Sequence, residues 1–226
     1  MSHLKLTISK EDYLKAIAEA ESEEGSVIAA TIARWLGVTP PAVALALRRL
    51  RRDKLVEVDR KSQIFLTNAG REISDKLRFR HHLVERMLHE MLGMAWYEVH
   101  DEAERLEHSI SEAVERRLVE KLGPQGACPH GNQINKSAAE RRKVGLRQLW
   151  EAAPGSSVRI DSMYERDRRL LEYFDGLGIR PGVELKVLSR NYDGTLTLRL
   201  KKRTINLGEA AARKAWVSDV ARHFDG

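Results

Sequence analysis

Residues 27–70 leave the chain few options. VIAATIARWLG has apolar residues at helical spacing and stops at Gly37, a residue suited to a left-handed C-cap. Thr39 can cap a second helix, and Pro40 and Pro41 suit its first turn, where missing N–H groups cost nothing. Val43, Leu47 and Leu50 then share one face. LVEVDRKSQIFLTNAG follows, two short alternating runs around a basic turn, which predicts a β-hairpin. Upstream, Ser9 can cap a helix with Asp12 at its third position and Tyr13, Leu14, Ile17 and Ala20 as its stripe; EEGS at 23–26 ends it. This order is that of a winged helix-turn-helix, whose second paired helix enters the DNA major groove while the hairpin lies on the backbone.

Charge supports that reading. Between Thr39 and Lys61 seven cations stand against three anions. Thr39, Pro40, Pro41, Ala42 and Ala44 would face the groove. Arg48 and Arg49 at the far end of the helix, with Arg60 and Lys61 on the hairpin tip, would meet phosphates. Few of the groove-facing side chains can hydrogen-bond a base edge, so thymine methyls and DNA shape are expected to carry specificity. The competing reading is a small helical domain with a solvated arginine face.

Six of the eight histidines lie elsewhere, between residues 81 and 130. VHDEAERLEHSISEAVERRL, residues 99–118, has no Gly or Pro and predicts a helix. On it His100, Glu104, Glu107 and His108 fall in one arc of about 100°. Two imidazoles and two carboxylates facing one way suit a metal ion; a solvated face of Glu/His and Glu/Arg pairs is the alternative. His81 and Glu85 form another i,i+4 pair. His82 and His89 read as surface or packing residues, and Trp35, Trp96, Trp150 and Trp216 as core or interface aromatics.

With 226 residues the chain can form one large domain or two to three small ones. From Asn68 to Leu122 it reads as nearly all helix, broken only around Leu92–Trp96. Residues 123–154 read as a Gly/Pro-containing linker with some helix, and Asp193-Gly194 marks a hairpin in a small, mostly β end. Cys128 is the only cysteine, which excludes an intramolecular disulfide and suits a reducing cytoplasm. No secretory signal and no apolar run of bilayer length are seen, so no membrane partner is expected. The net charge of +6 permits a polyanionic partner.

The winged helix together with RHHLVERML, VHDEAERLEHSISEAVERRL, ACPHGNQI and LLEYFDGLGIRPG resembles the diphtheria toxin repressor/manganese transport regulator family of metal-dependent transcriptional repressors, over nearly the whole chain. The resemblance implies a mainly α protein with small β parts. A winged helix-turn-helix domain at 1–70 would precede a helical dimerisation and metal-binding domain at 71–135, a linker at 136–154 and an SH3-like (FeoA-like) β-barrel at 155–226. It also implies a primary metal site of Asp12, His81, Glu104, Glu107 and His108. Asp12 and Glu104 stand where the iron-sensing branch carries Met and Cys, so the manganese branch is expected. Lys15 stands where a binuclear site needs a Glu, which argues for one metal in that pocket. A second site would use Glu85, Cys128 and His130 with an acid of the last domain, Asp161, Glu165 or Asp167, of which Asp167 is favoured; His100 could join it.

An oxygen-rich donor set suits Mn(II) first and Fe(II) second, although the Irving–Williams order favours Zn(II) in raw affinity. The expected protein is therefore a homodimeric repressor of metal-uptake genes, activated by metal to bind a palindromic operator in double-stranded DNA. An iron-dependent regulator of the same fold is the alternative. A metal-independent winged-helix regulator and a metallohydrolase are the further ones; the latter has no HExxH and a filled coordination shell against it.

Overall fold

The computed structural model describes residues 8–133 and 137–220; the parts of the expected first and last domains at 1–7 and 221–226 lie outside it. Helices α1 (Ile8–Glu24), α2 (Ala29–Leu36) and α3 (Pro40–Arg52) pack around Leu14, Ile17, Ile32, Val43 and Leu50, all essentially inaccessible. Gly37 has φ 63° and donates its N–H to Ala33 O. This left-handed cap turns the chain so that α2 and α3 are bent by 112°, within the helix-turn-helix range. Ser9 does not cap α1: the helix begins at Ile8, and the place of a cap lies among the undescribed residues.

The wing is β1 (Val56–Val58) against β2 (Ile64–Leu66), antiparallel, with Glu57 opposite Phe65. Asp59 Oδ1 accepts the backbone N–H groups of Lys61 and Gln63, each at 2.8 Å, and holds Arg60 and Lys61 out at the tip. Helix α4 (Asn68–Arg86) leaves directly from this hairpin. Thr67 caps it by accepting Gly70 N–H, and a Cβ at Gly70 would lie 2.0 Å from Leu55 O. The first and second domains are thus joined by a continuous helix, and the boundary expected at 70 falls inside it.

A π-turn (Met87–Met91), α5 (Val99–Leu106) and α6 (Glu112–Leu122) complete the helical domain. The helix expected through 99–118 is therefore two. It breaks at Glu107–Ser111 because the Ser111 side chain accepts Val114 N–H and starts a new helix. After α7 (Ala138–Lys143) come β3 (Arg147–Gln148), β4 (Ser157–Met163), α8 (Arg168–Leu177), β5 (Glu184–Arg190), β6 (Leu196–Leu200), β7 (Arg203–Leu207), α9 (Glu209–Ala212) and β8 (Ala215–Asp219). The strands form one antiparallel sheet in the order β3-β8-β4-β5-β6-β7 around Ile160, Leu171, Phe174, Leu196, Leu198 and Val217.

The linker expected at 136–154 is shorter than that. Arg147 and Gln148 pair with Val217 and Trp216, and Leu149 is fully buried in the sheet domain's core. Trp96, from the break before α5, also enters that core and donates to Asp175 at 2.7 Å, locking the sheet domain onto the helical one. Among the described residues no single helix is long and apolar enough to cross a membrane.

Candidate metal centre

Because the helix breaks after Leu106, the four residues expected on one arc do not form one site: three divide between two clusters and Glu104 joins neither. His100 stays on α5 and faces α4, whereas Glu107 and His108, past the end of α5, face α1. The first cluster is Asp12, Glu107 and His108, whose donor atoms lie within 4.8 Å of one another. His108 Nε2 is 2.8 Å from Asp12 Oδ1 and 3.6 Å from Glu107 Oε1. Its Nδ1 is 3.0 Å from Glu11, a neighbour that sequence reasoning missed and that fixes the ring as a ligand's outer partner does. Burial pushes the Asp12 carboxyl up despite the bond to His108.

Lys15, one turn along α1 from Asp12, enters the same place. Its ammonium is buried, 2.9 and 2.8 Å from the two oxygens of Glu107 and 3.0 Å from His81 Nδ1. Burial opposes its charge, but Glu19, Glu107 and Glu104 outweigh it and raise its pKa. One face of Glu107 is therefore already held by a cation.

Two of the five residues expected here sit differently. His81 lies between the clusters, with Nδ1 2.5 Å from Glu107 and Nε2 3.1 Å from both Glu85 and His100. Glu104 does not meet Asp12. It is held by His100 Nε2 at 3.5 Å and by Arg166 at 3.2 Å.

The second cluster is buried and joins four segments. Helix α4 supplies His81 and Glu85, α5 supplies His100, the loop before α7 supplies Cys128 and His130, and the chain after β4 supplies Glu165. His130 Nδ1 is 3.4 Å from Glu85 and 3.5 Å from Glu165; Cys128 Sγ is 3.4 Å from Glu165. His82, read from the sequence as a surface or packing residue, is buried with its Nδ1 unpaired, and its donor lies within 4.8 Å of Glu85, Cys128 and Glu165. Burial drives it down to about 4, so it is a neutral imidazole. His89 bonds Met94 O at 2.8 Å and stands apart.

Asp167, the acid favoured from sequence, is not in this cluster. It caps α8 by accepting Leu170 N–H at 3.0 Å, a role its position before a helix explains. Asp161 contributes its backbone instead: its carbonyl faces Gly131, where a Cβ would lie 2.0 Å away. Glu165 takes the place, steadied by Asn132 Nδ2 at 2.6 Å.

The donor set fits a cation. Glu85 Oε2 and His130 Nε2 are buried without partners, an arrangement that costs free energy unless something is bound. Burial disfavours charge on His100 and His130, but Glu104 and Glu85 push His100 up to about 10, and Glu85 and Glu165 push His130 up to about 9. Burial and the same two carboxylates push the Cys128 thiol up. Protons balance the buried carboxylates here, and a divalent ion can replace them. Gly131 has φ 82°, so Gly131→Ala should force its loop off β4. Metal content should then fall from about two ions per subunit to about one, as elemental analysis would read.

A helix-turn-helix with a wing, a helical domain bearing clusters of potential metal ligands and a small β domain closing over one of them are the parts of a metal-dependent transcriptional regulator. Family models match each part: "Iron dependent repressor, N-terminal DNA binding domain" over residues 5–64, "Iron dependent repressor, metal binding and dimerisation domain" over 67–136, and "FeoA domain" over 147–219. The diphtheria toxin repressor of Corynebacterium diphtheriae is 32% identical over 217 residues, 89% of this chain and 93% of its own. The iron-dependent repressor IdeR of Mycobacterium leprae is 32% identical over 194 residues, 80% of this chain and 84% of its own. A solved manganese-dependent transcriptional repressor in complex with manganese is 32% identical, with a TM-score of 0.83 over 93% of this chain and all of that one. The chain belongs to the diphtheria toxin repressor/IdeR family of metal-dependent transcriptional repressors.

Proposed function

We propose that this repressor is a homodimer that senses Mn(II), with Fe(II) second, in the cytoplasm and binds a palindromic operator controlling metal uptake. The observation that carries the reading is the 2.8 Å approach of Asp12, in the DNA-binding domain, to His108, in the helical domain. With Glu107 these side chains would hold the ion. A divalent charge there offsets the repulsion between acids of two domains. Asp12 and His108 then fix the angle of the winged helix, and in a dimer the separation of the two α3 helices near one DNA turn, about 34 Å. Hard donors favour Mn(II) or Fe(II). His81, Glu85, His100, Cys128, His130 and Glu165 would hold a second ion, with His82 at their edge. Glu104 would have to leave His100 and Arg166 to join the first.

Random duplexes selected on the purified protein with Mn(II), and again with a chelator, test this reading. A sequence enriched only with metal is expected; equal enrichment in both arms refutes it.

The reading face is Thr39, Pro40, Pro41, Ala42 and Ala44, with Arg48, Arg49, Arg60 and Lys61 on phosphates. All are exposed, while Val43, Leu47 and Leu50 on the opposite side of α3 are buried. Arg60→Ala should weaken binding to operator and random DNA alike. It should flatten the log–log salt slope by about one unit, since each neutralised phosphate contributes about −0.9. An unchanged slope would take the wing off the backbone.

A further inference from the structure

Arg166 follows the metal-cluster acid Glu165 directly, and it lands on the DNA-binding domain. Its Nη1 is 2.7 Å from Glu19 of α1, and its Nη2 is 3.2 Å from the Trp35 carbonyl near the end of α2. Its guanidinium lies 5.0 Å over the Trp35 ring. Tyr164, on the other side of Glu165, meets the same ring edge-on at 6.5 Å. The three residues alternate: Glu165 points in to Cys128 and His130, while its neighbours grip Trp35. The segment is anchored at its start, where Met163 N–H bonds His130 O at 2.9 Å and Tyr164 N–H bonds Lys214 O at 2.9 Å.

This placement matters for α3. The carbonyls in the last turn of a helix lack intrahelical partners, and a cation there also complements the helix dipole. Trp35 is two residues before Gly37, whose turn aims α3. A group clamped at that end of α2 therefore controls where the recognition helix points. The guanidinium is well suited, being planar, always charged and able to bond and stack at once.

We propose that Arg166 is a positioning residue that couples occupancy of the cluster around Glu165 to the orientation of the recognition helix. The inference rests on the metal-dependent DNA binding proposed above. With the second ion held, Glu165 is fixed to α4 and α5, and the adjacent guanidinium is fixed against Glu19 and Trp35. Without it, Glu165 has Cys128, His130 and Asn132 alone, and the clamp is looser. Linkage is reciprocal, so operator DNA should tighten metal binding at the second cluster through the same residue.

The test compares wild type, Arg166→Gln, Glu19→Gln and the double variant for DNA affinity with Mn(II) and with a chelator, for metal content, and for amide exchange over Ala29–Leu36. Glu19→Gln touches neither Glu104 nor Glu165, so it reports the clamp without disturbing ligands. Glu19→Gln should keep full metal content, and both single variants should keep metal-free DNA affinity. Each should lose roughly tenfold of the metal-induced gain, within the usual range of such couplings, and the double variant should lose no more. Metal should no longer slow exchange at the end of α2. A Glu19→Gln protein that keeps the whole gain overturns the proposal, as does an equal loss with and without metal, which marks a merely structural role. A wild type that ignores metal overturns the repressor reading instead, and the coupling with it.

Discussion

DNA binding by His108→Ala should no longer respond to Mn(II), whereas wild type should gain a hundredfold or more. A gain of that size needs about 2.7 kcal/mol of difference in metal affinity between the two conformations. His108 is the helical domain's imidazole at the first cluster, and Asp12 is its partner across the domain boundary at 2.8 Å. Without the ring only the Asp12 and Glu107 carboxylates remain, too few to hold the ion, and the link across the domain boundary is gone. The variant should fold, because His108 packs against Glu11, Asp12 and Glu107, not in the apolar core. Its metal content should fall by about one ion per subunit, leaving the second cluster loaded. Isothermal titration with Mn(II) and a DNA-binding series on the same sample separate the two effects. A variant that loses one ion yet still gains affinity with metal would assign the switch to the second cluster.

The winged helix was legible because its punctuation is local. Gly37, Pro40–Pro41 and the Asp59 turn each act within a few residues, and apolar spacing supplies the rest; Thr39 stands at the N-cap position of α3, but its side chain makes no capping bond. The clusters were legible only in part. The i,i+4 arithmetic that put His100, Glu104, Glu107 and His108 on one arc assumes an unbroken helix, and the Ser111 cap breaks it. That cap was visible as a serine before an acidic turn. Asp167 lies outside the cluster and Glu165 inside it, a difference the sequence hides because a helix cap and a ligand look alike there; which carboxylate turns inward depends on where β4 ends. The interdomain roles of Lys15, Arg166 and Glu19 lie on contacts 62 to 147 residues apart in sequence, which no local pattern encodes.

Glu107→Ala should destabilise the fold far more than it removes a ligand, because it strands Lys15. The Lys15 side chain is 5% exposed and its ammonium has three close partners, two of them Glu107 oxygens. Removing the carboxylate leaves the charge with His81 Nδ1 as its close partner and only the more distant carboxylates of Glu19 and Glu104 to offset it. Breaking a buried pair from one side costs about 3–5 kcal/mol, whereas replacing both partners by apolar groups of similar size is often neutral. For a chain of this length the single variant should therefore melt about 6–20 °C lower. Lys15→Met in the Glu107→Ala background should recover much of that loss, and Lys15→Met/Glu107→Leu most of it. Lys15→Met alone should cost less than Glu107→Ala, because His81 still donates to the carboxylate that remains. The comparison must be made in chelator, since bound metal would add its own stabilisation. If the double variants melt as low as Glu107→Ala, the loss comes from the cavity and not from the stranded charge. If they recover, Lys15 is a built-in cation that holds one face of Glu107 and leaves the other, toward Asp12 and His108, for a single metal ion.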